Sequence, residues 1–189
     1  MTAEFLKGTS IFLVGMMGSG KSTVGRCLAK KLGYRFIDTD AIIEQVAGQS
    51  ISEIFAEQGE SEFRALETRV LAGVTPYTRT VIATGGGAVV RQENWGYLQA
   101  GLVVWLDVPV EELVVRLSRD RTRPLLQEGD LTAKLTTLLK ERRDRYRQAD
   151  AQIVYQSGET ASAIAARTLD TLAQIVAENP PVSATIQRS

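Results

Sequence analysis

The stretch Gly15-Met-Met-Gly-Ser-Gly-Lys21-Ser22 constrains this chain more than any other, because it follows the apolar run Ile11-Phe-Leu-Val14 and precedes a helical pattern. It fits G-x-x-x-x-G-K-S, a loop that cradles the phosphates of a nucleoside triphosphate. Glycines let the backbone turn so that successive N–H groups converge on an anion at a helix N-terminus, whose dipole favours negative charge. Gly18, Ser19, Gly20 and Thr23 are expected around the phosphates. Lys21 would reach the β- and γ-phosphates, and Ser22 would place its hydroxyl on Mg²⁺.

A loop of this kind needs a strand before it and a helix after it. Val24, Leu28 and Leu32 recur at four-residue spacing and Gly33 supplies a stop, so Lys21 to Leu32 reads as the first crossover helix. Arg35-Phe-Ile-Asp38 reads as a short strand that delivers Asp38-Thr-Asp40 to the carboxyl edge of a sheet, where open α/β sheets bind ligands. Ala41 to Ala47 continues helically and Gly48 interrupts it. Ser50-Ile-Ser-Glu53 has capping-box spacing, and Phe55 to Val74 shows one apolar helical face. Strands are expected at Thr80 to Thr84, Leu102 to Leu106 and Gln152 to Tyr155. Helices are expected at Gln92 to Gln99, from Pro109 to about Ser118, at Leu131 to Gln148 and at Thr160 to Ala177. This alternation predicts a three-layer α/β/α fold around a five-stranded parallel sheet.

The 189 residues, 44% of them hydrophobic, suffice for one well-buried core and are short for two. A single domain over residues 1–178 is expected, with a poorly ordered tail at 179–189 after Asn179-Pro-Pro181. The 22 basic and 22 acidic residues cancel, which argues against a nucleic-acid binder relying on a general positive field. No apolar run approaches the roughly 18 residues that span a bilayer, so a cytoplasmic protein is expected. The single cysteine, Cys27, cannot form an internal disulfide and is expected to pack. Histidine is absent, so Ser-His-Asp chemistry and histidine metal ligands are excluded. Acid–base work falls to carboxylates, lysine or water.

Asp38 and Asp40 lie near the phosphate loop if their strand joins the same sheet. One could serve Mg²⁺ and the other a hydroxyl, although either could simply cap the next helix. Val81-Ile-Ala-Thr-Gly-Gly-Gly87 offers no carboxylate for a metal, which leaves Asp38 as the best candidate, and its glycines allow close backbone approach to a small polar substrate. Glu60, Arg64 and Glu67 have the spacing of an exposed helix ladder. Eight arginines between residues 116 and 147 form a local positive field suited to phosphate or carboxylate, while Arg119 to Asp130 is polar and turn-prone, as a mobile lid would be.

Six segments together resemble the shikimate kinase family. They are Gly15 to Ser22, Asp38-Thr-Asp40, Phe55-Ala-Glu-Gln-Gly-Glu-Ser-Glu-Phe-Arg64 with Glu67, Thr84-Gly-Gly-Gly87, Arg123-Pro-Leu-Leu126 and Tyr146-Arg147. The resemblance implies a P-loop kinase fold of the nucleoside-monophosphate-kinase type and ATP-dependent phosphorylation of the 3-hydroxyl of shikimate, in aromatic amino-acid biosynthesis. It implies a substrate-binding region at about 33–75 and a lid at about 117–130. Asp40, Arg64, Gly86 and Arg147 would contact shikimate, with Arg64 and Arg147 clamping its carboxylate. Asp38 would support Mg²⁺ through water, Arg116 would pack on adenine, and Arg123 would close on the transferring phosphate. Lys21, Asp40 and Arg123 would then be catalytic. A monomer is expected. The alternatives are a kinase of another small hydroxy acid such as gluconate on the same fold, and a non-catalytic nucleotide-binding module.

Overall fold

The computed structural model describes residues 3–118 and 130–178. The sheet is built outward from Ile11–Val14 (β1), all four residues of which are buried. This strand pairs in parallel with Thr80–Ala83 (β3) on one side and Leu102–Asp107 (β4) on the other. Arg35–Asp38 (β2) and Ala151–Val154 (β5) add the two edges, giving the order β2-β3-β1-β4-β5.

Successive side chains of a strand point to opposite faces. Phe12 and Val14 therefore join Ile82, Val103 and Trp105 on one face, while Ile11 and Leu13 join Val81, Val104 and Leu106 on the other. Helices cover both faces, as an all-parallel sheet requires. Lys21–Leu32 (α1) and Ala161–Glu178 (α7) pack Val24, Leu28, Ile164 and Leu172 on the Leu13 face, and Cys27 lies half-buried against this cluster. Gln92–Leu98 (α4), Val110–Leu117 (α5) and Leu131–Tyr146 (α6) pack Trp95, Leu113, Leu135 and Tyr146 on the Phe12 face.

Thr39–Ala47 (α2) and Ile51–Val74 (α3) share a smaller apolar cluster of Ile43, Ile54, Phe63 and Val70. Ser50 and Glu53 form the expected reciprocal capping box, so α3 begins four residues earlier than the apolar face suggested. Gly59 (φ 82, ψ 171) then breaks the helix, and Arg64 and Glu67 belong to the segment after the break. A left-handed φ is open to glycine at little cost, which is how the chain turns there. Two short 3₁₀ turns, Ala3–Leu6 and Ala88–Val90, carry no periodic signal in the sequence. The tail at 179–189 and most of the expected lid fall outside the described residues.

Strands β2 and β3 lie on one side of β1, and β4 and β5 on the other. The connections thus reverse direction at β1, and a crevice opens beyond its carboxyl end, the usual ligand position in such sheets. The fold depends on how completely β1 is enclosed. Leu13→Ala, at a position with no solvent exposure, should lower the unfolding free energy by about 3 kcal/mol, whereas Val46→Ala, at 66% exposure, should change it by less than about 0.5 kcal/mol. Urea denaturation of both variants checks this, and equal losses would contradict the placement of the core.

Candidate active site

The crevice holds a cavity of about 450 Å³ lined by Met17 to Val24, Asp38, Asp40, Thr84, Gly86, Arg116, Glu159, Ala161 and Ile164. Its floor is the phosphate loop. Gly18 (φ 77) and Gly20 (φ 90) take left-handed conformations, and Gly20 caps α1, so the loop ends at the positive end of that helix dipole. Lys21 is 8% exposed, and its Nζ donates to the carbonyls of Gly15 and Met16 at 2.8 Å each and to Ser19 Oγ at 3.4 Å. These bonds keep the ammonium inside the loop.

Asp38 ends β2 and ties the start of α2 to the phosphate loop. Its Oδ1 accepts from the Asp40 N–H at 3.1 Å and caps α2, while its Oδ2 accepts from Ser22 Oγ at 2.5 Å. A hydroxyl and a carboxylate side by side at the loop's end are hard oxygen donors of the kind Mg²⁺ takes alongside phosphate oxygens and water. Among the described residues no cluster of three His, Cys, Asp or Glu side chains could hold a metal, so an ion here would draw the rest of its shell from phosphate and water. The residues present fit Mg²⁺ on those terms.

Arg116, on the last turn of α5, is fixed from three sides. Glu112 accepts from its Nε at 2.8 Å, the carbonyls of Gly18 and Ser19 accept from its Nη1 at 3.3 and 3.4 Å, and the guanidinium carbon lies 4.7 Å from the centre of the Tyr155 ring. Glu159 bonds Arg167 through both carboxylate oxygens and organises the Gln156 to Thr160 loop at the same end of the cavity. Tyr155 and Arg167 carried no distinguishing signal in the sequence.

At the other end, the turn Gly85-Gly-Gly87 is crowded on every side. A Cβ on Gly85 would lie 2.6 Å from Glu67 Oε1 and 2.8 Å from Asp40 Oδ1; on Gly86, 2.9 Å from Met17 N; on Gly87, 2.3 Å from the Arg64 guanidinium nitrogens. Each distance is shorter than any side chain tolerates. The three glycines therefore bring Asp40, Arg64, Glu67 and the phosphate loop to one point.

The Glu60–Arg64–Glu67 ladder is exposed only at Glu60. Arg64 is 12% exposed and Glu67 is 1% exposed, with Arg64 Nη1 donating to Glu67 Oε2 at 2.8 Å. Burial raises the Glu67 pKa above the ordinary carboxylate value, against the pull of Arg64 and Arg142 and with the help of Asp40. Its other oxygen has no hydrogen-bond partner among the described residues. The residue types at 60, 64 and 67 could not reveal this, because burial follows from the break at Gly59 and the packing of α3 against the glycine turn.

Arg147 is not among the groups gathered here. It caps α6 beyond Tyr146, and its side chain, 59% exposed, pairs with Asp144 in solvent. The arginine brought to the turn is Arg142, whose Nη1 donates to the Gly86 carbonyl at 3.2 Å. Arg142 and Tyr146 are four residues apart and share the helix face that meets the turn, whereas Arg147 is rotated away by the next 100°. That i, i+4 relation to the buried Tyr146 was the signal that could have selected it. Arg145, on the same side, donates to the carbonyls of Val89 and Val90, and Arg143 faces Asp107 and Trp105. Arg123 lies outside the described residues.

The shikimate kinase family profile matches residues 17–173. The chain is 52% identical over 176 residues to a shikimate kinase of Microcystis aeruginosa, covering 93% of each chain, and 54% identical over 175 residues to one of Gloeobacter violaceus, covering 92% of this chain and 98% of the relative. A solved shikimate kinase of Acinetobacter baumannii in complex with shikimate superimposes with a TM-score of 0.86 at 42% identity, covering 90% of this chain and 96% of that one. Sequence and structure alike therefore give one family over nearly the whole length: the chain belongs to the shikimate kinase family.

Proposed function

We propose that this chain transfers the γ-phosphate of ATP to the 3-hydroxyl of shikimate, giving ADP and shikimate 3-phosphate for aromatic amino-acid biosynthesis. The observation that carries the reading is the meeting of Asp40, Arg64, Glu67 and Arg142 around Gly85–Gly87, of which Asp40 and Gly86 line the same cavity as the phosphate loop. A small carboxylic acid bearing ring hydroxyls suits that cluster. Arg64 and Arg142 offer planar forks for the carboxylate, and Asp40 offers an acceptor for the hydroxyls. Arg142 takes the place first expected for Arg147.

Phosphoryl transfer leaves little covalent work to the protein, so positioning and charge stabilisation dominate. Lys21, the backbone of Gly18 to Gly20 and the helix dipole of α1 offset charge on the phosphates, and Arg116 packs on the adenine. The family resemblance gives Arg123, which lies outside the described residues, the role of offsetting charge on the transferring group. Ser22 and Asp38, whose oxygens lie side by side at the loop's end, would hold Mg²⁺, which would supply neutralisation of charge on the phosphates. Asp40 orients the attacking hydroxyl toward the γ-phosphate and accepts its proton late. Residues 1–178 act as one domain in which the region at about 33–75 binds shikimate, and a monomer suffices because one chain supplies all these groups. Among the described residues no helix is long and apolar enough to cross a membrane, in keeping with a cytoplasmic setting.

Glu67 holds Arg64 from behind. Since its folded-state pKa is raised, the neutral form favours the fold; the cost of burying the charge is absent below the ordinary carboxylate range and appears as pH rises through the raised value. The difference in unfolding temperature between Glu67→Gln and the parent should therefore shift in favour of the variant as the pH rises above the ordinary carboxylate range, since only the parent acquires a buried charge. A difference that stays constant with pH, or shifts toward the parent, would contradict a net desolvation cost.

Steady-state kinetics and ATP binding test the site. Asp40→Asn should lower kcat by about 10²-fold or more with ATP affinity kept. Arg64→Ala and Arg142→Ala should each raise the KM for shikimate by about 10- to 100-fold, as loss of a charge-assisted contact implies. Arg147→Ala should stay within about twofold of the parent. If Arg147→Ala is crippled while Arg142→Ala is active, the clamp has been assigned to the wrong arginine.

A further inference from the structure

Tyr146 ends α6 with no solvent exposure, stacked on Trp105 of β4 with ring centroids 5.6 Å apart. Phenylalanine would satisfy that packing. The hydroxyl instead donates to the Gly86 carbonyl at 2.7 Å, the same oxygen that accepts from Arg142 one helical turn earlier. A carbonyl offers two lone pairs, and a single helix here fills both.

A trans peptide is planar, so the Gly86 carbonyl and the Gly87 N–H point in opposite directions and fixing one aims the other. Of the other N–H groups in the turn, that of Gly85 donates to Thr39 Oγ1 and that of Ala88 to the Gly85 carbonyl, while that of Gly86 donates to none of the described residues. The Gly87 N–H donates to none of the described residues. Gly87 abuts the Arg64 guanidinium, and Gly86 abuts the Met17 N–H of the phosphate loop. A tilt of the Gly86–Gly87 peptide would shift the turn against both. Burial pushes the Tyr146 pKa up to about 12, so the hydroxyl stays a donor throughout the neutral range.

We propose that Tyr146 is a positioning residue for the acceptor: its hydroxyl fixes the Gly86–Gly87 peptide so that the turn presents its backbone to shikimate at a set distance from the phosphate loop. This rests on the shikimate reading above. The nucleotide end of the cavity, formed by Arg116, Glu159, Ala161 and Ile164, makes no contact with Tyr146, so the role is specific to the acceptor.

Tyr146→Phe keeps the ring and deletes only the donor. With both substrates varied, the KM for shikimate should rise about five- to tenfold, the loss expected for one hydrogen bond, while the KM and binding affinity for ATP stay within about twofold. Leu139→Ala, a buried truncation on the same helix away from the turn, should lower the unfolding temperature yet leave the shikimate KM within about twofold. The proposal is overturned if Tyr146→Phe has an unchanged shikimate KM, if both KM values move together, if Leu139→Ala reproduces its effect, or if Tyr146→Phe no longer binds ATP. An unaltered protein that does not phosphorylate shikimate overturns the underlying reading as well, which separates the two failures.

Discussion

The site depends on one steric constraint, the close approach of the Gly85–Gly87 backbone to four neighbouring residues. A methyl group at any of these positions would collide with the carboxylates of Glu67 and Asp40, with the Met17 amide, or with the Arg64 guanidinium. At Gly86 the neighbour is fixed backbone, while at Gly85 and Gly87 side-chain ends would have to shift; with glycine at all three, the phosphate loop after β1, the helix start after β2 and the second half of α3 converge on the end of β3. The sheet supplies the frame for this. Thr84 secures the turn to the centre by bonding the Leu13 carbonyl through both its N–H and its hydroxyl, at 3.1 and 2.9 Å.

The same convergence creates an electrostatic cost. Glu67 is almost completely removed from water, and its pKa rises despite the Arg64 partner, so desolvation outweighs the attraction. A buried ion pair of this kind is poor evidence for stability and better understood as positioning. It holds Arg64 in one orientation beside Gly87. Around it sit Asp40, Arg142 and the Tyr146 hydroxyl, each tied to the glycine turn by distance or hydrogen bond. Burying these groups together stabilises the fold less than apolar side chains would, and in exchange fixes their positions relative to one another.

Features set by local rules were legible in the sequence. The phosphate loop, the Ser50–Glu53 capping box, the Gly33 and Gly48 stops and the strand–helix alternation each depend on a few adjacent residues, and the helix and strand positions followed from them to within a few residues. What depends on tertiary packing was harder to read. Glu67 has the spacing of a surface ladder and becomes buried only because α3 is broken at Gly59 and its second half meets the glycine turn. Arg142 and Arg147 are alike in type and five residues apart, and only the inward face of α6, marked by Tyr146, separates them. Tyr155 touches the site through Arg116, a contact that no linear pattern encodes. The gluconate alternative loses ground through family membership alone, since gluconate too carries a carboxylate that the paired arginines would suit.

The central claim is that the cluster across the glycine turn accepts shikimate in line with the phosphate loop. Its most direct test is ADP formation by the unaltered protein with ATP and Mg²⁺, measured with shikimate, gluconate, AMP or no acceptor in parallel. The account predicts rapid release with shikimate and background rates in the other three. Equal ADP formation with and without shikimate, or a preference for gluconate or AMP, would contradict it.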